Sequence, residues 1–262
     1  MKINVVYNKT IQNYKEVLSH VESAMILHKV DFRSFELDNM TNFGEFTIVI
    51  GGDGTLLKTA RFYSENNIPV FGINTGRLGF LSQADSKVGI NEILESILQG
   101  KYYTEERMML TSVDKLALND FVIKGCDTSR TSTFHLEITG KEVCDYVADG
   151  IIISTPTGST AYGLSAGGAV LYPTMEAINI VPICPHTLNA RPLVVPSSEV
   201  ITVKTGDKLL AVSIDGFESI KCVDKITIKT APKKAVLAFL NEGRFYSVLR
   251  NKLHWGISPK SV

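Results

Sequence analysis

Apolar positions in the first hundred residues alternate between two spacings, which predicts strands and helices in turn. Ile3 to Tyr7, Thr47 to Ile50 and Val70 to Ile73 are short runs of the kind that form buried strands, and Phe32 to Leu37 fits a further one. Between them, Tyr14 to His28 carries Val17, Leu18, Val21 and Met25 near helical spacing, and Leu56 to Tyr63 reads as a helix. Lys87 to Gln99 repeats helical spacing through Val88, Ile93, Leu94, Ile97 and Leu98, with Gly100 at the natural stop position. The alternation predicts an α/β domain over residues 1–100, a Rossmann-like parallel sheet with helices on both faces.

From about residue 102 the pattern becomes short period-two runs broken by turn residues. Thr133 to Ile138, Gly150 to Ser154, Val200 to Thr205, Leu209 to Asp215 and Lys225 to Thr230 all follow it. They predict an all-β, sandwich-like second domain over residues 101–239, α+β overall. No Pro/Gly/Ser-rich linker separates the halves, so the two domains are expected to pack closely around a cleft.

Composition narrows the partners. The chain has 262 residues, 44% hydrophobic and 21% charged, enough for two modest domains. Its 27 Lys and Arg balance 27 Asp and Glu, so no overall field draws it to nucleic acid or an anionic membrane, and any phosphate site must be local. The N-terminus lacks a signal-peptide core and no apolar run approaches a membrane span, which predicts a cytoplasmic protein. Cys126, Cys144, Cys184 and Cys222 show no C-x-x-C spacing and are expected to be buried thiols. The five histidines form no H-E-x-x-H motif.

Candidate chemistry begins at Gly51-Gly52-Asp53-Gly54-Thr55, between a predicted buried strand and a predicted helix. Glycines let backbone approach a phosphate, and N–H groups at a helix start, with the dipole behind them, favour negative charge. An aspartate there repels phosphate unless it has work to do. The alternative is a capped turn, with Asp53 or Thr55 satisfying the helix N-terminus. No Walker A string occurs, and Leu57 stands where a dinucleotide fingerprint needs its third glycine.

Three further segments carry functional residue types. Asn74-Thr75-Gly76-Arg77-Leu78-Gly79-Phe80-Leu81 follows a predicted strand, at the edge where open α/β sheets bind ligands; a surface turn with an exposed Arg77 is the alternative. The run from Asp149 through Thr155-Pro156-Thr157-Gly158-Ser159-Thr160-Ala161-Tyr162 to Ser165 is rich in small hydroxyl residues that suit an adenine edge and ribose, with Tyr162 able to cover an aromatic face. The competing account is a tight loop using Ser and Thr for its own backbone bonds. Asn119-Asp120, after an alternating run, can hold a ribose diol or form a plain turn.

Taken together, these segments resemble the NAD kinase family over nearly the whole chain. The glycine loop at 51–55 is similar to that family's signature, Asn74 to Phe80 to its second loop, and Thr155 to Tyr162 to its most distinctive segment. Pro182 to Leu193, including Pro185-His186-Thr187-Leu188-Asn189, and Leu249 to Trp255 resemble two more of its stretches. The glycine loop alone would be shared with diacylglycerol and sphingosine kinases and related phosphofructokinases; the later segments select NAD kinase.

The resemblance implies phosphoryl transfer from ATP, or in some members polyphosphate, to the 2′-hydroxyl of the adenosine ribose of NAD, giving NADP. It implies Asp53 as proton acceptor, with Gly51, Gly52, Gly54 and Thr55 as the donor-phosphate loop. Asp53, Gly54, Lys58, Asn119, Asp120, Asp149, Thr160, Ala161, Tyr162, Ser165 and Cys184 match NAD-binding positions. It also implies a divalent cation, magnesium, held mainly through ATP phosphates, a task that needs few protein carboxylates. A homo-oligomer, tetramer or dimer, whose neighbouring chain completes the site is implied too, as is a C-terminal tail, residues 240–262, packed back on the first domain.

Two positions depart from the family pattern: Val147, where many relatives carry a basic residue, and Phe217, where some place glutamine. Neither touches the proposed base, so catalysis is expected to be retained, with affinity and NAD/NADH preference open. A lipid or sphingoid-base kinase would need an apolar acceptor pocket, whereas residues 154–165 are small and hydroxyl-rich. A non-catalytic NADP-binding regulator is opposed by the intact Asp53.

Overall fold

The computed structural model describes residues 1–74, 79–81, 84–85, 89–127, 131–187, 189–206 and 209–255. The chain divides into two compact units, residues 1–106 with 235–262, and residues 107–234.

The first unit is built on a seven-stranded sheet. Six strands run in the order Asp31–Glu36, Lys2–Tyr7, Phe46–Ile50, Val70–Asn74, Ala235–Phe239, Tyr103–Arg107, and the short Ala84–Asp85 also pairs with Val70–Asn74. Lys2–Tyr7 is parallel to both its neighbours, and Phe46–Ile50 and Ala235–Phe239 are each parallel to Val70–Asn74. Every residue of Phe46–Ile50 is buried, as a continuous apolar run in a sheet covered on both faces requires. Phe46, Ile48, Ile50, Phe71 and Ile73 pack against Val17, Val21 and Met25 of helix Tyr14–Leu27 and Ile93, Leu94 and Ile97 of helix Ile90–Leu98. Each such side chain, fully buried, contributes about 1.5–3 kcal/mol of transfer free energy. Val49 and Val70 sit on the alternate pleat, and helix Asp53–Tyr63 packs on their strands and on Ala235–Phe239.

Two boundaries differ from the periodicity. The helix expected from Leu56 starts three residues earlier, because Gly52, with extended backbone (φ −83°, ψ −176°), takes the N-cap position and its carbonyl accepts the Leu56 N–H at 3.1 Å. Ala235–Phe239, which falls inside the 101–239 range expected for the β-rich domain, is a strand of the first unit, with Leu237 in register with Val70. Helix Arg244–Leu253 follows it in the same unit.

The second unit consists of two six-stranded sheets. One runs Lys141–Ala148, Ser132–Ile138, Ile201–Thr205, Lys225–Thr230, Leu110–Ser112, Lys115–Ala117; the other runs Leu193–Pro196, Ala177–Ile183, Gly150–Ser154, Asp120–Gly125, Leu210–Ile214, Glu218–Val223. Phe134, Leu136, Val203 and Ile226 from the first share one core with Phe121, Ile151, Ile153 and Val212 from the second, the sandwich that the period-two alternation predicts.

The cysteines are a correction. Cys126 and Cys184 are exposed and Cys144 is half-buried, not buried thiols. Cys126 follows the end of strand Asp120–Gly125, and Cys184 follows Ala177–Ile183 in left-handed backbone (φ +45°), so both stand where the chain has left the sheet.

Candidate functional site

In the first unit, the buried strand Phe46–Ile50 delivers the glycine loop to the start of helix Asp53–Tyr63. Gly51 lies against Thr55: a Cβ there would come within 2.6 Å of the Thr55 hydroxyl. Nothing stands within 4 Å of where a Cβ on Gly52 or Gly54 would project, so backbone at these two positions faces open space. The helix's first N–H groups, which have no intrahelical partner, belong to this turn.

Neither side chain proposed as a cap fills that role. The N-cap is Gly52, with no side-chain cap hydrogen bond, and the buried Thr55 hydroxyl accepts from the Asn8 amide at 3.1 Å. The Asp53 carboxylate is instead held by the second loop: Phe80 donates its backbone N–H at 2.7 Å and Leu81 at 3.2 Å. Gly79 makes that approach possible, since a Cβ there would overlap the carboxylate. Arg244, from the C-terminal helix, feels the Asp53 charge, which opposes the lowering effect of burial on the guanidinium. Lys252 lies 5.4 Å from the Phe80 ring centroid. Arg77 falls outside the described residues. Lys58, a substrate-binding candidate, pairs with Asp38 at 2.5 Å, and its hydrogen bond and charge hold the Asp38 carboxyl below the ordinary range.

In the second unit the turn at Asn119–Asp120 is clasped from two sides. On one side, Thr155 donates its backbone N–H to the Asn119 carbonyl at 2.9 Å and its hydroxyl to the Leu118 carbonyl at 2.5 Å. Gly158 packs so closely on Asn119 that a Cβ would overlap the Asn119 carbonyl. On the other side, the Asp215 carboxylate accepts three backbone N–H groups, from Leu118 at 2.9 Å, Asn119 at 2.8 Å and Asp120 at 3.0 Å. The Asp215 N–H returns a bond to the Asp120 carbonyl at 3.0 Å. Asp120 is 4% exposed, and its carboxyl is pushed up to about 7, by burial first and by the Asp215 charge second.

The hydroxyl-rich segment spends most of its hydroxyls on itself. Ser154 donates to the Thr155 carbonyl, Ser159 to the Pro156 carbonyl and Thr160 to the Thr157 carbonyl, while the Ser159 oxygen accepts the Leu171 N–H. What the segment presents to open space is its end: Ala161 and the 40%-exposed Tyr162 line a cavity of about 530 Å³ together with Asn119, Asp120, Ser213 and Asp215. Lys124 and Lys221 also line it.

The structure therefore gathers Asn119, Asp120, Ala161 and Tyr162, with Thr160 beside them in the chain and Ser165 exposed one helical turn on. Asp149 and Cys184 lie elsewhere, just outside the sheet at the other end of strand Gly150–Ser154. Gly150 pairs with Ile183 while Ser154 pairs with Asp120, and the Asp149 N–H bonds the Ile183 carbonyl at 3.0 Å. At about 3.3 Å per residue, Asp149 is therefore roughly 17 Å along the strand from the Asn119 end. Val147 is half-buried, its carbonyl bonded to the His186 N–H, and Phe217 is 41% exposed.

Asp215 is the residue that sequence reasoning passed over. Asp-Gly between two alternating runs is a hairpin signal, but nothing in the spacing shows which strand's end the aspartate faces. Among the described residues no group of three or more His, Cys, Asp or Glu side chains is placed to hold a metal ion, and no helix is long and apolar enough to cross a membrane.

Two family models match the chain, an ATP-NAD kinase N-terminal domain over residues 3–102 and an ATP-NAD kinase C-terminal domain over residues 118–239. Similar curated proteins include the NAD kinase of Geobacter sulfurreducens, 37% identical over 90% of this chain and 87% of the relative. That of Carboxydothermus hydrogenoformans is 41% identical over 83% and 82%. Among solved structures, an NAD kinase from Archaeoglobus fulgidus in complex with ATP is 28% identical with a TM-score of 0.80, covering 97% of this chain and 99% of that one. A yeast NADH kinase complexed with NADH, 22% identical, has the same fold with a TM-score of 0.86 over 98% of this chain and 89% of its own.

Proposed function

The chain belongs to the NAD kinase family and phosphorylates NAD to NADP, and we propose that the γ-phosphoryl group of ATP passes to the 2′-hydroxyl of the adenosine ribose with Asp53 as the proton acceptor. The observation that carries this reading is the Asp53 carboxylate itself. It stands at the start of a helix, beside glycines that open onto space, and is oriented by two backbone donors instead of capping its own helix. A carboxylate has about four lone-pair sites, and in the proposed complex one of them accepts from the ribose hydroxyl. That hydroxyl is a weak nucleophile, and a fixed carboxylate within hydrogen-bond reach orients it and takes its proton.

Most of the acceleration comes from positioning and from neutralising charge on the transferred group. Gly52, Gly54 and Thr55 offer backbone N–H groups to the donor phosphates; the Gly51 N–H is taken by the Ile73 carbonyl at 3.0 Å and the Thr55 hydroxyl by Asn8, so Gly51 serves that loop by its close packing on Thr55. A divalent cation, magnesium, supplies further neutralisation when bound. Magnesium is commonly held by one or two carboxylates plus substrate phosphates, so here it would be held mainly through the phosphates of ATP, with no all-protein cage required.

On the acceptor side, Asn119 and Asp120 hold ribose oxygens, Tyr162 and Ala161 wall the adenine, and Thr160 and Ser165 edge that wall. Lys58 reaches anionic oxygen only by leaving Asp38, an exposed pairing worth little. Asp149 and Cys184, at the far end of the sheet, serve the site from a neighbouring copy in a homo-oligomer, a dimer or tetramer.

The test is direct. The protein with NAD, ATP and magnesium should form NADP, detected by an NADP-specific dehydrogenase, and substituting polyphosphate for ATP measures the donor range. ATP consumption with a lipid acceptor and none with NAD would overturn the reading.

A further inference from the structure

Asp215 is not among the residues proposed to contact NAD, yet it holds the backbone that carries two of those contacts. Strands Leu210–Ile214 and Glu218–Val223 are joined by a turn closed by the Phe217 N–H on the Ile214 carbonyl at 3.1 Å. Its central residues, Asp215 (φ +49°) and Gly216 (φ +77°), are both left-handed, as a hairpin turn matched to strand twist requires. This conformation aims the Asp215 carboxylate across the neighbouring strand at the start of Asp120–Gly125, where Leu118, Asn119 and Asp120 all donate to it. Hydrogen bonds to a charged acceptor are the stronger kind, and three converging on one carboxylate fix the chain as it enters strand Asp120–Gly125.

We propose that Asp215 is a positioning residue for NAD: by gathering the N–H groups of residues 118–120 it sets the direction in which the Asn119 and Asp120 side chains enter the cavity walled by Ala161 and Tyr162. The proposal rests on the reading that Asn119 and Asp120 contact NAD. A second consequence is electrostatic. Asp215 is the negative neighbour of the buried Asp120 carboxyl; the other charged or titratable groups lining that cavity among the described residues are Lys124, Lys221, Cys126 and Tyr162.

The test compares Asp215→Asn with Asn119→Ala in the full-length protein. Asparagine tolerates the left-handed conformation, so the hairpin is kept while the charge and part of the acceptor capacity are lost. With circular dichroism unchanged, Asp215→Asn should raise KM for NAD about tenfold, leave KM for ATP unaltered and change kcat less than threefold. The acid limb of kcat/KM for NAD should also move to lower pH, because Asp120 loses a like charge beside it. A purely structural role would weaken both substrates together and leave the acid limb in place; that result would overturn the proposal, as would a KM for NAD within twofold of the parent while Asn119→Ala weakens NAD. If Asn119→Ala leaves KM for NAD unchanged, the reading of the NAD contacts fails, and the proposal with it.

Discussion

Asp53 accepts the backbone N–H of Phe80 at 2.7 Å, a bond that joins the start of one helix to the loop after the next strand of the sheet. The two ends of this contact lie 27 residues apart in sequence. Each is placed by a buried strand, Phe46–Ile50 for Asp53 and Val70–Asn74 for the loop that reaches Phe80. The parallel register of these strands brings both to the same sheet edge, with Ile50 opposite Ile73. Core packing thereby fixes the orientation of the Asp53 carboxylate.

Gly79 tests that orientation without altering Asp53. A Cβ at Gly79 overlaps the Asp53 carboxylate, so Gly79→Ala must move either the loop or the side chain. Misplacing a catalytic group by about 1 Å costs on the order of 100-fold in rate. Steady-state assays should show a fall in kcat of that order with KM for NAD changed less than threefold. An unchanged kcat would mean that the Phe80 and Leu81 donors are dispensable.

Asp120 predicts a pH-dependent stability. Its carboxyl titrates near 7 in the folded protein and near its ordinary 3.8 when unfolded, so between these values the folded state binds the extra proton. The contribution to stability is therefore greatest below about pH 4 and is lost as pH rises through 7, on the order of a few kcal/mol over the window. Thermal melts from pH 5 to 8 should show Asp120→Asn gaining on the parent as pH rises; a constant difference between the two would rule out Asp120 as the titrating group.

Gly158 packs on the Asn119 carbonyl with no space for a methyl group. Gly158→Ala is expected to cost about 1–3 kcal/mol, the usual range for overpacking a well-filled site, and to weaken NAD because the Asn119 turn must shift. Thermal denaturation and KM for NAD should change together, and a variant with an unchanged melting temperature and affinity would show that the contact yields without consequence.

Tyr162 forms an exposed wall of the cavity. Removing the ring in Tyr162→Ala should weaken NAD about tenfold, the scale of one lost aromatic contact together with its buried area. Calorimetric titration with NAD measures this directly; unchanged affinity would place the ring outside the adenine site.

Much of this was legible in the sequence, and the reasons it stops where it does are physical. Periodicity located Lys2–Tyr7, Phe46–Ile50 and Val70–Asn74 because burial on both faces leaves a largely apolar run, and it placed Gly150–Ser154 among the short runs of the β-rich segment. It could not assign Ala235–Phe239 to the first sheet, since a strand's partner is chosen by tertiary pairing and leaves no local mark. The hydroxyls of Ser154, Thr155 and Ser159 read as ligand donors, with internal loop bonds as the competing account, and the structure gives all three internal partners. Asp215 was hidden because Asp-Gly is ordinary turn chemistry and its partners lie 95 to 97 residues away. Cys126 and Cys184 were misjudged because the general tendency of cysteine to be buried says nothing about strand ends.

The central claim is that Asp53 takes the proton of the ribose hydroxyl, and Asp53→Asn tests it most directly, because asparagine keeps size and polarity and still accepts from Phe80 through its carbonyl oxygen. NAD affinity, measured by calorimetry, should stay within about twofold of the parent, while kcat for NADP formation falls on the order of 10²- to 10⁴-fold, the contribution of a positioned general base. A parallel loss of affinity and rate with the fold intact, or a turnover close to the parent's, would contradict it.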